Sequence, residues 1–186
     1  LLMIEGRAAV DGELDELPAE KSVKLVDHYL LLAYKGPDNR EARQGMHNAS
    51  CLAGIAFSNA SLGICHSMAH ALGAAFHIPH GRSNALLLPH VVAYNAALDY
   101  KDESRALLRY AQIAQMLGIG GATPKAAVHN LIRQIRNLMK RINEPFYVTD
   151  CRVEKEAFLE QVPVMAQKAM QDGCTETNPR VPEPCE

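Results

Sequence analysis

The chain has 186 residues, a length that suits one domain with its own apolar core. Apolar residues make up 48% and charged residues 22%, the balance that is typical of a globular protein in water. The formal net charge of -2 gives no electrostatic reason to expect nucleic acid or an anionic membrane as partner, and no apolar run reaches the ~20 residues of a membrane span.

The first half of the chain predicts helices separated by short breaks. Residues 19–34 carry apolar side chains on one side and end at the breaker Gly36-Pro37. Residues 40–60 are rich in Ala, Gly and Ser with few charges, which predicts a helix packed closely on most of its sides. A strongly apolar helix follows at 83–98, despite Pro89 within it.

The second half continues the helical pattern. A helix is predicted at 103–117, and it stops at Gly118. Residues 124–142 have apolar side chains at spacings of three and four, with Thr123 as cap and Pro124 at the first position. Another helix is predicted at 154–171, with Pro163 marking a kink or a restart. Only residues 146–148 suggest a short strand, so the predicted class is all-α.

The cysteines and the N-terminus indicate the compartment. The five cysteines are scattered and form no Cys-x-x-Cys pair, which favours free thiols over a disulfide framework. The first residues, Leu1-Leu2-Met3-Ile4, are followed at once by Glu5 and lack the layout of a signal peptide. We therefore expect a cytosolic protein.

Four histidines within fifteen residues form the main candidate site. His66 and His70 are four residues apart, so a helix places both on one face. We expect residues 76–81 to form the loop that ends this helix and to bring His77 or His80 back to the same point. Converging neutral imidazoles suit Fe(II), Zn(II) or Co(II). Unrelated histidines in the core and in a surface turn are the alternative, and a zinc peptidase is disfavoured because no His-Glu-x-x-His occurs.

Three blocks of sequence resemble the iron-containing (group III) alcohol dehydrogenases. Residues 46–81 read MHNASCLAGIAFSNASLGICHSMAHALGAAFHIPHG, residues 84–90 read NALLLPH, and residues 172–180 read DGCTETNPR. They look most like the alcohol dehydrogenase module of bifunctional aldehyde–alcohol dehydrogenases. The resemblance implies the multi-helix C-terminal domain of that family's dehydroquinate synthase-like fold. It divides the chain into an unmatched segment 1–16, a helical metal-binding domain 17–180 and an irregular tail 181–186.

The resemblance also assigns roles to individual residues. It implies that His66 and His80 are metal ligands, for Fe(II) or Zn(II), and that His70 is a catalytic residue for proton relay. It further implies that Phe57 and Cys174 line the substrate pocket. The implied reaction is the interconversion of short-chain alcohols and aldehydes with NAD(P)(H), in a homo-oligomer that has no nucleic-acid or membrane partner.

Parts of the family pattern are missing from these residues. The other two metal ligands of the family lie in G-x-D-A-x-x-H-A-x-E, which does not occur here, and we expect it upstream of residue 1. A Gly-rich dinucleotide loop between strand and helix is missing as well, so we expect the main NAD(P) site upstream too. The isolated chain is therefore expected to be incomplete or inactive. The alternatives are a non-catalytic helical remnant or assembly module, and, more weakly, an unrelated metal-dependent hydrolase.

Overall fold

The computed structural model of the chain describes residues 13–100 and 104–183. Within those ranges no strand occurs, and the predicted all-α class is confirmed. In the part of the chain that the structure describes, two short 3₁₀ helices, Val148–Cys151 and Thr175–Thr177, accompany seven α-helices. The seven are α1 Glu13–Lys35, α2 Arg40–Ala60, α3 Ile64–Phe76, α4 His80–Asn95, α5 Arg105–Met116, α6 Pro124–Arg141 and α7 Lys155–Gln171.

No single helix within residues 13–100 and 104–183 is both long and apolar enough to cross a bilayer. The pair α2 and α3 meets the length and composition criteria only when the two are taken together, and it is bent by 108° at its break.

Helices α1 and α2 form an antiparallel hairpin that rests on small residues. The Asn39 side chain caps α2 by accepting the Ala42 N–H at 3.0 Å, and the buried Ser22 hydroxyl donates to the Ala49 carbonyl at 2.6 Å. Most of α2 outside its stripe of small buried residues is exposed. The prediction that 40–60 is packed on most sides is therefore wrong, because its small side chains serve one close contact with α1.

The main apolar core lies between α4, α5 and α6. Thr123 caps α6 by accepting the Ala126 N–H, with Pro124 at the first position, as the sequence predicts. Ser104 caps α5 in the same way. The core is built on side chains that are almost fully buried, namely Val92, Leu107, Tyr110, Ile113, Val128 and Leu131.

A break of three residues joins α3 to α4. His77 adopts a left-handed conformation (φ 54°) and ends α3, and α4 begins at His80. The expected loop 76–81 is thus too long, because Phe76 is still helical and Gly81 is already so. The predicted helix 83–98 correspondingly begins earlier and ends at Asn95.

Three local features differ from the sequence-based expectations. No strand forms at 146–148, because the Asp150 carboxylate accepts the N–H groups of Phe146 and Tyr147 and turns the chain into a 3₁₀ helix. Helix α7 continues through Pro163 without a restart. Residues 181–183 have no regular structure, whereas 184–186 lie outside the described residues, as do residues 1–12 of the predicted N-terminal segment.

The hairpin meets the rest of the domain across an apolar gap. A cavity of about 320 Å³ is lined by Val23 and Leu30 of α1 and by Leu131, Ile135 and Leu138 of α6. The two hairpin helices contact each other much more extensively than either contacts any other helix. The hairpin is therefore less tightly packed on the domain than α4, α5 and α6 are on one another.

We expect Gly45→Ala to lower the free energy of unfolding by about 1–3 kcal/mol, since overpacking strains a close contact. A Cβ atom at Gly45 would overlap Cδ2 of the Tyr29 ring, so α1 and α2 would have to separate or the ring would have to move. Chemical denaturation followed by circular dichroism measures the change.

Gly54→Ala on the same helix is the matched control. A Cβ there meets no heavy atom within 4 Å, so this variant should be neutral or stabilised by up to ~1 kcal/mol through helix propensity. Equal stability of the two variants would contradict the close packing of Tyr29 on Gly45.

Candidate metal and proton-transfer site

Three imidazoles converge where α3 meets α4. His66 and His70 lie one turn apart on α3, with ring centroids 6.3 Å apart. The ring of His80, the first residue of α4, lies 5.3 Å from that of His66 and 5.2 Å from that of His70. The break at His77 thus brings His80, rather than His77, to the pair on α3. His70 and His80 are exposed while His66 is half-buried, so the cluster is open to solvent on one side.

The environment of His66 keeps its ring uncharged. Burial, with smaller contributions from the neighbouring His80 and His70, lowers the pKa of His66 to about 4. Its Nδ1 atom is buried and has no hydrogen-bond partner among the described residues. A neutral imidazole with a buried, unpartnered nitrogen is the form that ligates a metal, and such an atom requires a physical explanation.

The ring of His80 lies beside the carboxamide of Asn84. The Asn84 side chain, one turn further along α4, lies with Nδ2 3.1 Å from His80 Nε2 and donates to the His80 carbonyl at 3.1 Å. An amide N–H donates only to a ring nitrogen that carries a lone pair. In this orientation of the amide, Nε2 of His80 carries the lone pair, which either the Asn84 amide or a metal ion can engage.

The C-terminal segment 172–180 is fastened along α3 by side-chain hydrogen bonds. The buried Thr175 hydroxyl donates to the Ala169 carbonyl at 2.6 Å and is hydrogen-bonded to the Ser67 hydroxyl at 2.7 Å. The Thr177 hydroxyl donates to the Leu62 carbonyl just before α3 begins. The segment therefore lies beside the helix that carries two of the three histidines.

A buried pair of carboxamides anchors this segment. Asn178 Oδ1 accepts from the Ile64 N–H at 3.2 Å, at the start of α3, and from Asn95 Nδ2 at 3.2 Å, at the end of α4. In return Asn178 Nδ2 donates to Asn95 Oδ1 at 2.7 Å and to the Arg180 carbonyl at 2.6 Å. One side chain thus joins α3, α4 and the C-terminal segment.

The segment also places Asp172 and Cys174 next to His70. Asp172 Oδ2 lies 2.8 Å from His70 Nδ1, and Asp172 Oδ1 accepts the Cys174 N–H at 2.9 Å. Ligand atoms of His70, Asp172 and Cys174 all lie within 4.8 Å of one another. Burial and the Asp172 carboxylate raise the pKa of the Cys174 thiol to about 11, so the thiolate that a metal requires is scarce at neutral pH. This group is therefore better described as hydrogen-bonded than as a ligand set.

The structure brings together four of the five site residues that the sequence predicts. His66, His70 and His80 meet at the helix break, and Cys174 joins them through Asp172. Phe57 lies on the last turn of α2 with 43% of its surface exposed. Within residues 13–100 and 104–183 no ring contact joins it to the imidazoles, so its place in the substrate pocket stays a prediction.

Sequence reasoning missed the polar residues that hold the site. Asp172, Thr175 and Asn178 all lie in the block DGCTETNPR, of which only Cys174 was singled out. A dense run of polar side chains between a helix and a proline was the available signal. Their partners lie 83 to 114 residues away along the chain, and only the fold supplies those.

The donors present fit a divalent transition metal. Imidazole nitrogen is a borderline ligand that suits iron and zinc, and the ring of His80 lies 5.3 Å between centroids from the uncharged ring of His66. His66 Nδ1, buried and without a partner among the described residues, is the observation in the structure that supports an ion near this point. Two imidazoles complete only half of a four-ligand shell.

The comparisons with known proteins agree with one another. The sequence profile described as "Fe-containing alcohol dehydrogenase family, C-terminal" matches residues 10–184, and so begins inside the segment 1–16. An NADPH-dependent butanol dehydrogenase of Clostridium saccharobutylicum is 40% identical over 162 residues, which are 87% of this chain and 39% of that protein. The bifunctional aldehyde-alcohol dehydrogenase of Escherichia coli is 39% identical over 182 residues, covering 92% of this chain and 20% of that protein.

The fold has a close counterpart among solved structures. An iron-containing alcohol dehydrogenase from Thermococcus thioreducens superposes with a TM-score of 0.84 at 35% identity, over 100% of this chain and 46% of that one. The chain therefore spans less than half the length of each of these three proteins.

We expect Asn178→Ala to lower the free energy of unfolding by about 2–3 kcal/mol, because the Ile64 N–H loses its partner and Asn95 loses two hydrogen bonds. Asn59→Ala removes an exposed carboxamide bonded only within α2, and should change stability by no more than ~0.5 kcal/mol. Urea denaturation measures both. A loss for Asn178→Ala as small as that for Asn59→Ala would contradict the anchoring role of the buried pair.

Proposed function

Because the chain belongs to the iron-containing alcohol dehydrogenase family, in the part that forms the C-terminal domain, we propose that it is the metal-binding part of an NAD(P)-dependent alcohol dehydrogenase. The reaction we propose is the interconversion of short-chain alcohols and aldehydes. The observation that carries the proposal is the meeting of His66, His70 and His80 at the break between α3 and α4, within sequence that matches this family.

His66 and His80 are the residues we propose as metal ligands. Burial keeps the ring of His66 uncharged, its buried Nδ1 lacks a partner among the described residues, and the ring of His80 lies 5.3 Å away between centroids. When bound, an Fe(II) or Zn(II) ion would supply Lewis-acid polarisation of the alcohol oxygen, and NAD(P) would supply the hydride acceptor. The further ligands belong to sequence that these residues do not contain.

His70 is the residue we propose for proton transfer. Its ring stacks near that of His80 at an interplanar angle of 21°, and its side chain is 46% exposed, so it can pass a proton between the site and solvent. Cys174, held protonated beside Asp172, would form part of the pocket wall. Phe57 would add an apolar surface that favours short aliphatic groups.

The cofactor and the substrate are proposed at class level. The butanol dehydrogenase among the relatives is named as NADPH-dependent, and the Escherichia coli relative is named for both aldehyde and alcohol. We therefore propose a nicotinamide cofactor without choosing between NAD and NADP, and short alcohols or aldehydes as substrates. Cytosolic location, a homo-oligomeric state and the lack of nucleic-acid or membrane partners stay predictions.

We expect the chain by itself to bind Zn(II) or Fe(II) weakly, since two imidazoles leave open positions that water fills. His66→Ala and His80→Ala should each weaken that binding about tenfold or more, since even the loss of a residue that only orients a metal ligand lowers metal affinity by about 10- to 100-fold. Titration of the metal-free chain with Zn(II), followed by calorimetry, measures the affinity.

His129→Ala is the matched control for this titration. His129 is an exposed histidine on α6, away from the break between α3 and α4. Its loss should leave the affinity unchanged. Affinities that are the same in the chain, in His66→Ala and in His129→Ala would remove the support for a metal at this point.

We expect alcohol oxidation with NADP when the chain is fused behind the part of the Clostridium saccharobutylicum butanol dehydrogenase that lies outside the matched residues. His66→Ala in that fusion should lower kcat/KM for 1-butanol by about 100-fold or more, because the loss of a ligand removes Lewis-acid assistance. His129→Ala should retain activity. Cofactor reduction measured by absorbance, with metal content determined in parallel, tests this.

The outcome that would contradict the dehydrogenase proposal is a folded, metal-loaded fusion that turns over no alcohol. It would favour a non-catalytic helical module instead. Metal-dependent ester cleavage by the chain without any nucleotide would favour the hydrolase alternative.

A further inference from the structure

We propose that Asp172 is a positioning residue for His70: its carboxylate holds the imidazole with Nδ1 as hydrogen-bond donor and leaves Nε2 as the nitrogen that exchanges protons in the site. The proposal rests on the proposed function in one respect, which is the proton-transfer role of His70. The placement of the ring itself depends only on contacts in the chain.

The carboxylate of Asp172 is held on both sides. Oδ2 lies 2.8 Å from His70 Nδ1, while Oδ1 accepts the Cys174 N–H at 2.9 Å. The backbone carbonyl of Asp172 accepts the Thr175 N–H at 2.9 Å, and Thr175 is itself fastened to Ser67 of α3. The orientation of the carboxylate is therefore set by the turn that ends α7, and it in turn sets the orientation of the His70 ring.

The same contact fixes which nitrogen of His70 carries the proton. An ionised carboxylate only accepts hydrogen bonds, so His70 must donate from Nδ1. Both hydrogen bonds lower the pKa of Asp172, which keeps it ionised at neutral pH. Nε2 of His70 has no hydrogen-bond partner among the described residues. A carboxylate on one ring nitrogen sets the tautomer and orientation of a histidine that transfers protons through the other.

Stabilisation of the fold does not explain this contact well. The side chains of His70 and Asp172 are 46% and 24% exposed, and ion pairs this exposed contribute little to stability. The segment is already anchored by the buried bonds of Thr175 and Asn178. A contact that adds little to stability but controls a ring in the candidate site is best explained by positioning.

Asp172→Asn gives a specific spectroscopic expectation. The Cys174 N–H still requires an acceptor, so the carboxamide oxygen should take the place of Oδ1 and the NH₂ group should face His70. An NH₂ group donates, hence His70 must then accept at Nδ1 and carry its proton on Nε2. The substitution should thus reverse the tautomer of His70 while leaving its position on α3 unchanged.

The first experiment reads that tautomer in the full chain, free of metal, at neutral pH. Long-range ¹H–¹⁵N spectra of ¹⁵N-histidine-labelled protein distinguish the two tautomers, and His70→Gln assigns the signal. We expect the Nδ1–H tautomer in the chain and the Nε2–H tautomer in Asp172→Asn. Glu176→Gln is the matched control, because it removes one carboxylate from an exposed position in the same segment. It should leave the His70 signal unchanged.

The second readout is kinetic, in the active fusion with butanol dehydrogenase. Asp172→Asn should lower kcat about 10- to 100-fold with KM nearly unchanged, as expected for a misplaced proton. Unchanged thermal unfolding midpoints in all variants would show that the fold is retained.

The two readouts separate the proposal from the proposed function. A His70 signal that is the same in the chain and in Asp172→Asn would overturn the positioning role, whatever the activity. A reversed tautomer together with a reduced kcat supports it. A reversed tautomer with an unchanged kcat would show that Asp172 orients His70 and would contradict the proton-transfer role proposed for His70.

Discussion

The buried hydrogen bonds between Asn178 and Asn95 are the constraint on which the site depends. Each carboxamide donates to the other, and Asn178 also accepts the first N–H of α3. Unpaired polar groups at this depth would be costly, so the register of the C-terminal segment against α3 and α4 is fixed. That register brings Thr175 to Ser67 and Asp172 to His70. The position of Asp172 beside His70 therefore depends on the Asn178–Asn95 pair, which lies outside the histidine cluster.

The second determinant is the abrupt change of direction at His77. Helix α3 alone supplies only two imidazoles, which lie one turn apart on the same face. The left-handed residue and the short link to α4 bring in the third ring, so that three centroids lie 5.2 to 6.3 Å from one another. Each of these rings has a different neighbourhood: His66 is half-buried, His80 is bonded to Asn84, and His70 is bonded to Asp172. Three residues of one type can in this way take different roles.

Periodicity predicted the helical class, and residue spacing predicted that His66 and His70 share a helix face; spacing left the third imidazole open between His77 and His80, and the family resemblance implied His80. They worked because apolar spacing and i, i+4 geometry are local properties. The errors were also local: the loop at 76–81 was predicted too long, and α2 was expected to be packed on most of its sides. Asp172 and Asn178 could not be found from spacing, since their partners are distant in sequence. The role of such a polar residue can be assigned only when the three-dimensional structure shows which residues it contacts.

The stripe of small residues between α1 and α2 has a consequence for how the protein moves. Since the two hairpin helices pack closely on each other through small residues and meet the rest of the domain at a cavity, we expect the hairpin to detach as one cooperative unit. Amide hydrogens of α1 and α2 would then exchange with solvent together, at a lower opening free energy than those of α5 and α6. The helix that carries His66 and His70 belongs to the slower-exchanging part, held by its bonds to the C-terminal segment. The chain would therefore keep its histidine cluster assembled during fluctuations that release its first two helices.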